Sequence, residues 1–293
     1  MVAQAPQSPP RKIMLATDLS GRGDRALDRA VDLARGWDAE LAVVHALESE
    51  AGADGRALPS WRRPPDLAEL VEQQIRRDIR GPAPKLRFVI EEGAPARVVL
   101  EAAQREAPDL LVVAGGRNAP FGGLSRTVEE LFRRAPASML VVKRRPNGPY
   151  AHLLVGTDYT DEARAAVEAA VRLFPEARVA VMHAYEMPYR NLYLDPSLAE
   201  RFGAMEMDTI NGWLARAELP PGAAERLEPL IEHGPPEVML SAYAQEKGAD
   251  LTVIGAYERS RLFHMVVGGG GPRIVHAAPG DVLIVRPARE ATG

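Results

Sequence analysis

The chain has 293 residues, of which 46% are hydrophobic and 26% are charged, and its formal net charge is −4. This length exceeds one ordinary domain, so two domains are expected. The acidic balance gives no sequence-wide attraction for nucleic acid or for an anionic membrane. Cysteine is absent, which excludes disulfides, thiolate metal sites and a cysteine nucleophile.

The first ten residues contain no apolar core of the kind found in signal peptides, and we predict that residues 1–10 form a disordered tail. No apolar run approaches the ~20 residues needed to cross a bilayer. We therefore expect a cytoplasmic protein with neither a nucleic-acid nor a membrane partner.

The first half alternates short β-branched runs with longer segments of helical periodicity. Its predicted strands are IMLAT, LAVVHA, LRFVIEEG, LLVVAG and MLVVK. Helices are predicted between them, including one near Leu67–Ile79 and one after Pro95. Such alternation is typical of a parallel sheet with helices on both faces.

The second half repeats the first in the same order. The segment KIMLATDLSGRGDRALDRAVDLA from Lys12 aligns with HLLVGTDYTDEARAAVEAAVRLF from His152, and ASMLVVKRRP aligns with GDVLIVRPAR. The chain is therefore a tandem duplication. We predict two domains, residues 11–145 and 149–288, joined by the short linker RRPNGPY.

Each domain is predicted to be an open five-stranded parallel sheet of the nucleotide-binding α/β type. Because a short linker joins duplicated halves, we expect an intrachain pseudo-dimer with an approximate two-fold axis. The last strands, MLVVK and VLIVR, are the candidates to meet at that axis. A homodimer of the whole chain is a further expectation.

Polar residues recur where the first two strands of each half end. Asp18 and Asp158 follow the first strands, and His45 and His183 lie near the ends of the second strands. The aspartates could contact a ligand or could cap the following helices. We interpret the histidines as core residues with one hydrogen bond, and no histidine spacing indicates a metal site.

These residues, together with a glycine-rich segment between the fourth strand and the last helix, resemble the universal stress protein family. The resemblance covers nearly the whole chain, twice. It implies a Rossmann-like α/β fold that is often dimeric and that binds ATP in some members. In those members the loop is Gly, two residues, Gly, nine residues, Gly, then Gly or Ser, and the first-strand aspartate serves the adenosine.

The second half keeps most of this loop. Gly255 and Gly268 stand thirteen positions apart and Gly269 follows, but the middle glycine is replaced by Glu258. A carboxylate there would repel a phosphate, whereas the N-terminus of a helix opening at Pro272 would attract it. The resemblance places a nucleotide site at Thr157, Asp158, Ala184, Ile254, Gly255, Gly268, Gly269 and Gly270.

The first half departs further from the loop pattern. Ala114 and Arg117 replace its first two glycines. We therefore expect the first half to bind nucleotide poorly or not at all. The glycines of the second half have their own alternative, which is a loop without a ligand.

Common enzyme motifs are missing, since the sequence has no phosphate-binding P-loop and no Gly-x-Ser-x-Gly elbow. Together with the family resemblance, their absence predicts a non-enzymatic stress-response protein with ATP or AMP as a regulatory ligand of the second domain. One alternative is a partner-binding or structural module without nucleotide binding, whose protein partner the sequence does not identify. A second alternative is a slow nucleotide hydrolase.

Overall fold

The computed structural model describes residues 9–47, 66–115, 125–185, 196–256 and 270–286. The first half contains, in chain order, β1 (Lys12–Ala16), α1 (Gly23–Gly36), β2 (Glu40–Leu47), α2 (Leu67–Asp78), β3 (Leu86–Glu92), α3 (Pro95–Glu106), β4 (Leu110–Ala114), α4 (Arg126–Arg134) and β5 (Ser138–Val142).

The second half repeats this order. It contains β6 (His152–Thr157), α5 (Asp161–Leu173), β7 (Arg178–Tyr185), α6 (Pro196–Leu214), β8 (Leu227–His233), α7 (Pro236–Lys247), β9 (Leu251–Gly255), α8 (Gly270–Ala277) and β10 (Asp281–Val285). A short 3₁₀ helix, Ala224–Arg226, precedes β8.

Each half forms a five-stranded parallel sheet. The strand order is β3-β2-β1-β4-β5 in the first half and β8-β7-β6-β9-β10 in the second. All neighbouring strands within a half are parallel. This arrangement confirms the predicted fold class.

The two sheets join through their last strands. Strands β5 and β10 pair antiparallel, with Leu140 opposite Leu283, and the result is one ten-stranded sheet. These two leucines hold equivalent positions in the duplicated sequence, so the pseudo-two-fold axis passes between them. The last strands therefore meet at the axis, as the sequence predicts.

Helices cover both faces of the sheet. On one face, α1, α2, α5 and α6 enclose a core that includes buried residues of both halves. The opposite face is covered by α3 and α4 in the first half and by α7 and α8 in the second. Because a buried cluster on each face spans the boundary between the halves, each half helps to bury the other.

Helix α5 shows how composition sets this packing. Nine of its residues are buried, and five of those nine are alanines. Small side chains let the helix approach the sheet closely, and alanine is also the best helix former. Thr160 caps its start by accepting a hydrogen bond from the Ala163 N–H.

Each half has a cationic side chain that hydrogen-bonds to the last helix of the other half. The Lys143 ammonium, at the end of β5, donates to the carbonyls of Val275 and Ala278 at the end of α8. The guanidinium of Arg286, at the end of β10, donates to the Phe132 carbonyl of α4. A cation at a helix C-terminus satisfies free carbonyls and complements the helix dipole. Burial lowers the pKa of Lys143 to about 8.

Gly271, the last of four consecutive glycines, lies against the other half. A Cβ added at this position would come within 2.8 Å of Cζ of Phe132. In the aligned sequence the pair equivalent to Gly271 and Phe132 is Val128 and Val275, which are both buried in one cluster. One side of the axis therefore pairs the small Gly271 with the large Phe132, whereas the other side has two valines of medium size.

We predict that Gly271→Val lowers the free energy of unfolding by about 1 to 3 kcal/mol, because the added side chain collides with the Phe132 ring. The double variant Gly271→Val with Phe132→Val copies the valine pair of the other side. Its loss should be smaller than the sum of the single losses by about 1 kcal/mol. Urea unfolding of the four proteins measures this coupling. Strict additivity would contradict the proposed contact.

Candidate functional site

The carboxyl edge of the second sheet contains a topological switch point. From β6 the chain crosses to β7 on one side, whereas β9 pairs with the other side of β6. In open α/β sheets such a reversal leaves a crevice outside the carboxyl ends of the strands, where ligands bind. Asp158 follows β6, and Gly255 ends β9.

The structure brings five of the eight predicted site residues to this edge. Thr157 ends β6, Ala184 is the penultimate residue of β7, and Ile254 precedes Gly255 in β9. Thr157 and Ile254 are buried, whereas Asp158 is exposed. A buried frame with one exposed carboxylate is a geometry that could receive a polar ligand.

Asp158 shapes the turn between β6 and α5. Its Oδ1 accepts hydrogen bonds from the Thr160 backbone N–H at 3.3 Å and from the Thr160 hydroxyl at 2.5 Å. Thr160, not the aspartate, is the residue that caps α5. The aspartate therefore orients the cap. Between the two, Tyr159 has a positive φ of 65°, a conformation that few non-glycine residues adopt.

The first half builds the same turn. Oδ1 of Asp18 accepts from the Ser20 N–H at 3.0 Å and from the Ser20 hydroxyl at 2.6 Å. Leu19 has a φ of 57°. Since the backbone conformation and the hydrogen bonds agree, this turn does not by itself distinguish one half from the other.

The two strand-end histidines also make the same contact. Nδ1 of His183 lies 2.9 Å from the Thr157 carbonyl oxygen, and Nδ1 of His45 lies 2.9 Å from the Thr17 carbonyl oxygen. This contact holds the second strand against the turn that follows the first. It gives both rings a structural role.

An aromatic cluster distinguishes the second half. The Tyr159 ring stacks on His183 with ring centroids 4.2 Å apart, and the Tyr185 ring centroid lies 6.2 Å from that of His183. Trp213 of α6 contacts Tyr159 edge to face at 6.0 Å. In the first half, leucines occupy the positions of the two tyrosines. The cluster is therefore a feature of the second half alone among the described residues.

Tyr159 also joins the crevice to α6. Its hydroxyl donates to a carboxylate oxygen of Glu206 at 3.0 Å. Burial raises the pKa of the Tyr159 phenol, and Glu206 raises it further. Neither Tyr159 nor Glu206 was among the site residues predicted from the sequence. The signal for Tyr159 was its position directly after Asp158 in the repeat, where the first half has Leu19.

Gly255 is required for packing. A Cβ added there would lie 2.5 Å from the backbone carbon and oxygen of Glu162 and 2.8 Å from the Ala163 nitrogen. Backbone atoms in the first turn of α5 cannot move aside without moving the helix. The first glycine of the loop pattern therefore has a structural reason that is independent of any ligand.

The remaining three predicted site residues lie in or before the last helix. Helix α8 begins at Gly270, so the prediction that this helix opens at Pro272 was two residues late, and Gly270 belongs to the helix, not to a loop. Two glycines in succession did not prevent the helix because tertiary packing outweighs intrinsic propensity. Gly268, Gly269 and Glu258 lie outside the described residues.

Other kinds of site receive no support from the described ranges. They hold no group of three or more His, Asp or Glu side chains suited to a metal ion. Among the same residues, no helix combines the length and the apolar character needed to cross a membrane.

Comparison with known proteins agrees with the repeat and the fold. The model of the universal stress protein family matches residues 10–143 and, separately, residues 149–286. The chain belongs to the universal stress protein family. It carries two copies of the family's domain in tandem.

Relatives occur in bacteria and archaea. A universal stress protein of Methanocaldococcus jannaschii is 25% identical over 140 residues, which are 46% of this chain and 82% of that protein. A putative universal stress protein structure from Pseudomonas aeruginosa has a TM-score of 0.67 at 20% identity and covers 95% of this chain and 94% of its own. One from Archaeoglobus fulgidus has a TM-score of 0.66 at 16% identity, covering 96% and 97%. Both structures show the fold over the two halves together.

We predict that Gly255→Ala lowers the free energy of unfolding by about 2 kcal/mol or more, because its Cβ would overlap the backbone of α5. Ala114 holds the equivalent position in the first half, so Ala114→Gly is the matched control. The control should cost less, since removing a methyl group creates no overlap. Urea unfolding measures both, and equal stability of Gly255→Ala and the parent protein would contradict the packing role.

Proposed function

We propose that this universal stress protein is a non-enzymatic stress-response protein whose second half binds ATP or AMP as a regulatory ligand. One observation carries the proposal: the carboxyl ends of β6, β7 and β9, beside the switch point between β6 and β9, bring together Thr157, Asp158, Ala184, Ile254 and Gly255. A crevice of this kind is the usual ligand position in open α/β sheets. A cytoplasmic location and a homodimer stay predictions.

The residues at the crevice fit the nucleoside part of the ligand. The exposed Asp158 carboxylate could accept hydrogen bonds from ribose hydroxyls, and an acceptor that is ionised makes the stronger bonds. Ala184 has a small side chain at the neighbouring strand end, which leaves room for a planar base. The bound nucleotide would supply the base, the ribose hydroxyls and the phosphate charge.

The phosphate part of the ligand would meet the start of α8. The first N–H groups of a helix have no partner within the helix, and the helix dipole is positive there. Gly270 is the first residue of α8, and Gly268 and Gly269 precede it. The family resemblance of these two glycines is their support as ligand residues.

The proposal includes an asymmetry between the halves. Asp18 and Asp158 make the same hydrogen bonds, so the aspartates do not create it. The difference lies at the end of the fourth strand, where the first half has Ala114 in place of Gly255. It continues in the loop beyond that strand, where the first half has Ser125 and Arg126 near the position of the third loop glycine. We therefore propose at most one nucleotide per chain.

The matched pair Asp158→Asn and Asp18→Asn tests this proposal in the full chain. Asparagine keeps an oxygen that can accept from Thr160 or Ser20, so both variants should fold. Asp158→Asn should weaken ATP and AMP binding at least tenfold, because it removes the charge of the acceptor. Asp18→Asn should leave binding within about twofold. Calorimetry gives the affinity and the number of sites.

The outcomes separate the alternatives. A stronger effect from Asp18→Asn, or two equal sites per chain, would refute the asymmetry. Absence of binding at millimolar ATP would favour a partner-binding or structural module. Release of ADP or phosphate that increases with time and is lost in Asp158→Asn would favour a slow hydrolase.

A second variant tests the glycine loop of the second half, in which Glu258 replaces the middle glycine. Glu258→Gly removes a carboxylate from the position where the family pattern has its middle glycine. We predict that ATP binding becomes about tenfold tighter, because repulsion between like charges near a partly exposed site is worth roughly 1 to 3 kcal/mol. AMP, which carries fewer phosphate charges, should gain less. Calorimetry on the full chain checks both ligands, and an unchanged ATP affinity would show that Glu258 does not approach the phosphates.

A further inference from the structure

A second concave site lies where the two halves meet, away from the switch point. It is a cleft of about 460 Å³ between the C-terminal ends of α1 and α5. The proposed nucleotide site lies at the N-terminal end of α5. Since α5 has 13 residues, the two sites are separated by about 20 Å along the helix. The cleft volume is in the range of small-molecule sites.

Three aromatic side chains line this interhalf cleft. Trp37 follows α1, Phe174 follows α5, and Tyr150 lies in the linker. The ring centroids of Trp37 and Phe174 are 5.9 Å apart, and Tyr150 meets Phe174 edge to face at 5.3 Å. Trp37 and Phe174 are half-buried, whereas Tyr150 is buried. The cleft therefore offers partly accessible aromatic surface on a fixed base.

The charges around the cleft favour a cation. Helices α1 and α5 both end there, and each helix C-terminus contributes partial negative charge. The carboxylates of Asp32 and Glu176 also line the cleft. Asp32 lies 3.8 Å from Arg35, in an exposed pair whose strength is small. Negative charge beside aromatic faces is the combination that recognises organic cations.

Arg29 is the one cation among the described lining residues, and it is held by the protein itself. Its Nη1 donates to the Gly148 carbonyl at 3.0 Å, and its Nε lies 3.8 Å from a carboxylate oxygen of buried Asp281. Its Cζ stands 4.0 Å from the Tyr150 ring centroid. Asp281 neutralises this charge, so Arg29 adds little positive potential at Asp32 and Glu176.

Arg29 also raises the alternative that the cleft binds an anion. Its Nε is buried and makes no hydrogen bond within the described part of the chain. A ligand carboxylate could supply the missing acceptor. Such an anion would have to enter beside Asp32, Glu176 and two helix C-termini, and for this reason the cation is favoured.

We propose that the interhalf cleft binds a small organic cation with an aromatic or compact alkyl body, such as an arylalkyl amine or a quaternary ammonium compound. Its apolar body contacts Trp37 and Phe174, and its charge faces Asp32 and Glu176. Both halves contribute to the cleft, so the ligand stabilises their association.

The test uses the full chain and three probes of one shape: 2-phenylethylammonium, the neutral 2-phenylethanol and the anion phenylacetate. The ammonium compound should bind at least tenfold more tightly than the other two, and its affinity should fall as salt is raised. Calorimetry gives the affinities, and the indole N–H resonance of Trp37, assigned by Trp37→Phe, reports the location.

Charge variants identify the site without disturbing the core. Glu176→Gln should weaken the ammonium compound about three- to tenfold, whereas Glu225→Gln, an exposed glutamate in the 3₁₀ helix, should change nothing. Phe174→Leu should weaken it about tenfold while keeping an apolar residue in place.

Three results would overturn the proposal. If phenylacetate bound as tightly as the ammonium compound, Arg29 and not the carboxylates would determine which ligands the cleft accepts. Unchanged ammonium binding in both Glu176→Gln and Phe174→Leu would place the probe elsewhere. Absence of binding by every probe at millimolar concentration would show that the cleft is not a ligand site.

Discussion

The antiparallel pairing of β5 and β10 is the interaction on which the rest of the structure depends. Without it, each half would end in an apolar edge strand with unpaired backbone groups. The pairing places Leu140 opposite its repeat counterpart Leu283 and creates one sheet of ten strands. It also brings α1 and α5 onto one continuous core and aims Lys143 and Arg286 at helices of the opposite half.

The two ends of this central pairing have diverged. The Ser138 hydroxyl accepts the Arg286 N–H at 3.0 Å, whereas the equivalent Asp281 accepts the N–H groups of Lys143 and Arg144 at 2.7 and 3.0 Å. Asp281 is 1% exposed, and a buried carboxylate requires further partners. The Tyr150 hydroxyl donates to it at 2.6 Å. Burial accordingly raises the Tyr150 pKa.

This divergence connects the central pairing to the interhalf cleft. On the ionic side, Asp281 holds Arg29 and Tyr150, and these two side chains form part of the cleft. On the other side, the neutral Ser138 needs no such counter-ion. Asp281 therefore connects the central pairing to Arg29 and Tyr150 of the cleft, a role that the neutral Ser138 does not have.

The fold and its two-fold symmetry were predictable from the sequence because the two halves have the same hydrophobic periodicity in the same order. The parallel sheet of each half follows from the βα alternation, and the family resemblance rests on motifs at fixed spacing. Asp18 and Asp158 could be selected as strand-end carboxylates from the same pattern. Their hydrogen bonds to Ser20 and Thr160, two residues ahead, are also local in sequence.

Contacts between residues far apart in the chain were decided only by the tertiary structure. The glycine pattern suggested a phosphate loop or a loop without a ligand. In the structure, however, Gly255 leaves space for the backbone of α5, and Gly271 leaves space for Phe132, which is 139 positions away in the chain. The Tyr159 cluster draws residues from the turn after β6, from β7 and from α6. Sequence periodicity determines which face of an element is apolar. Sequence periodicity does not determine which distant backbone segment contacts that face, because this contact depends on how the helices pack against the sheet.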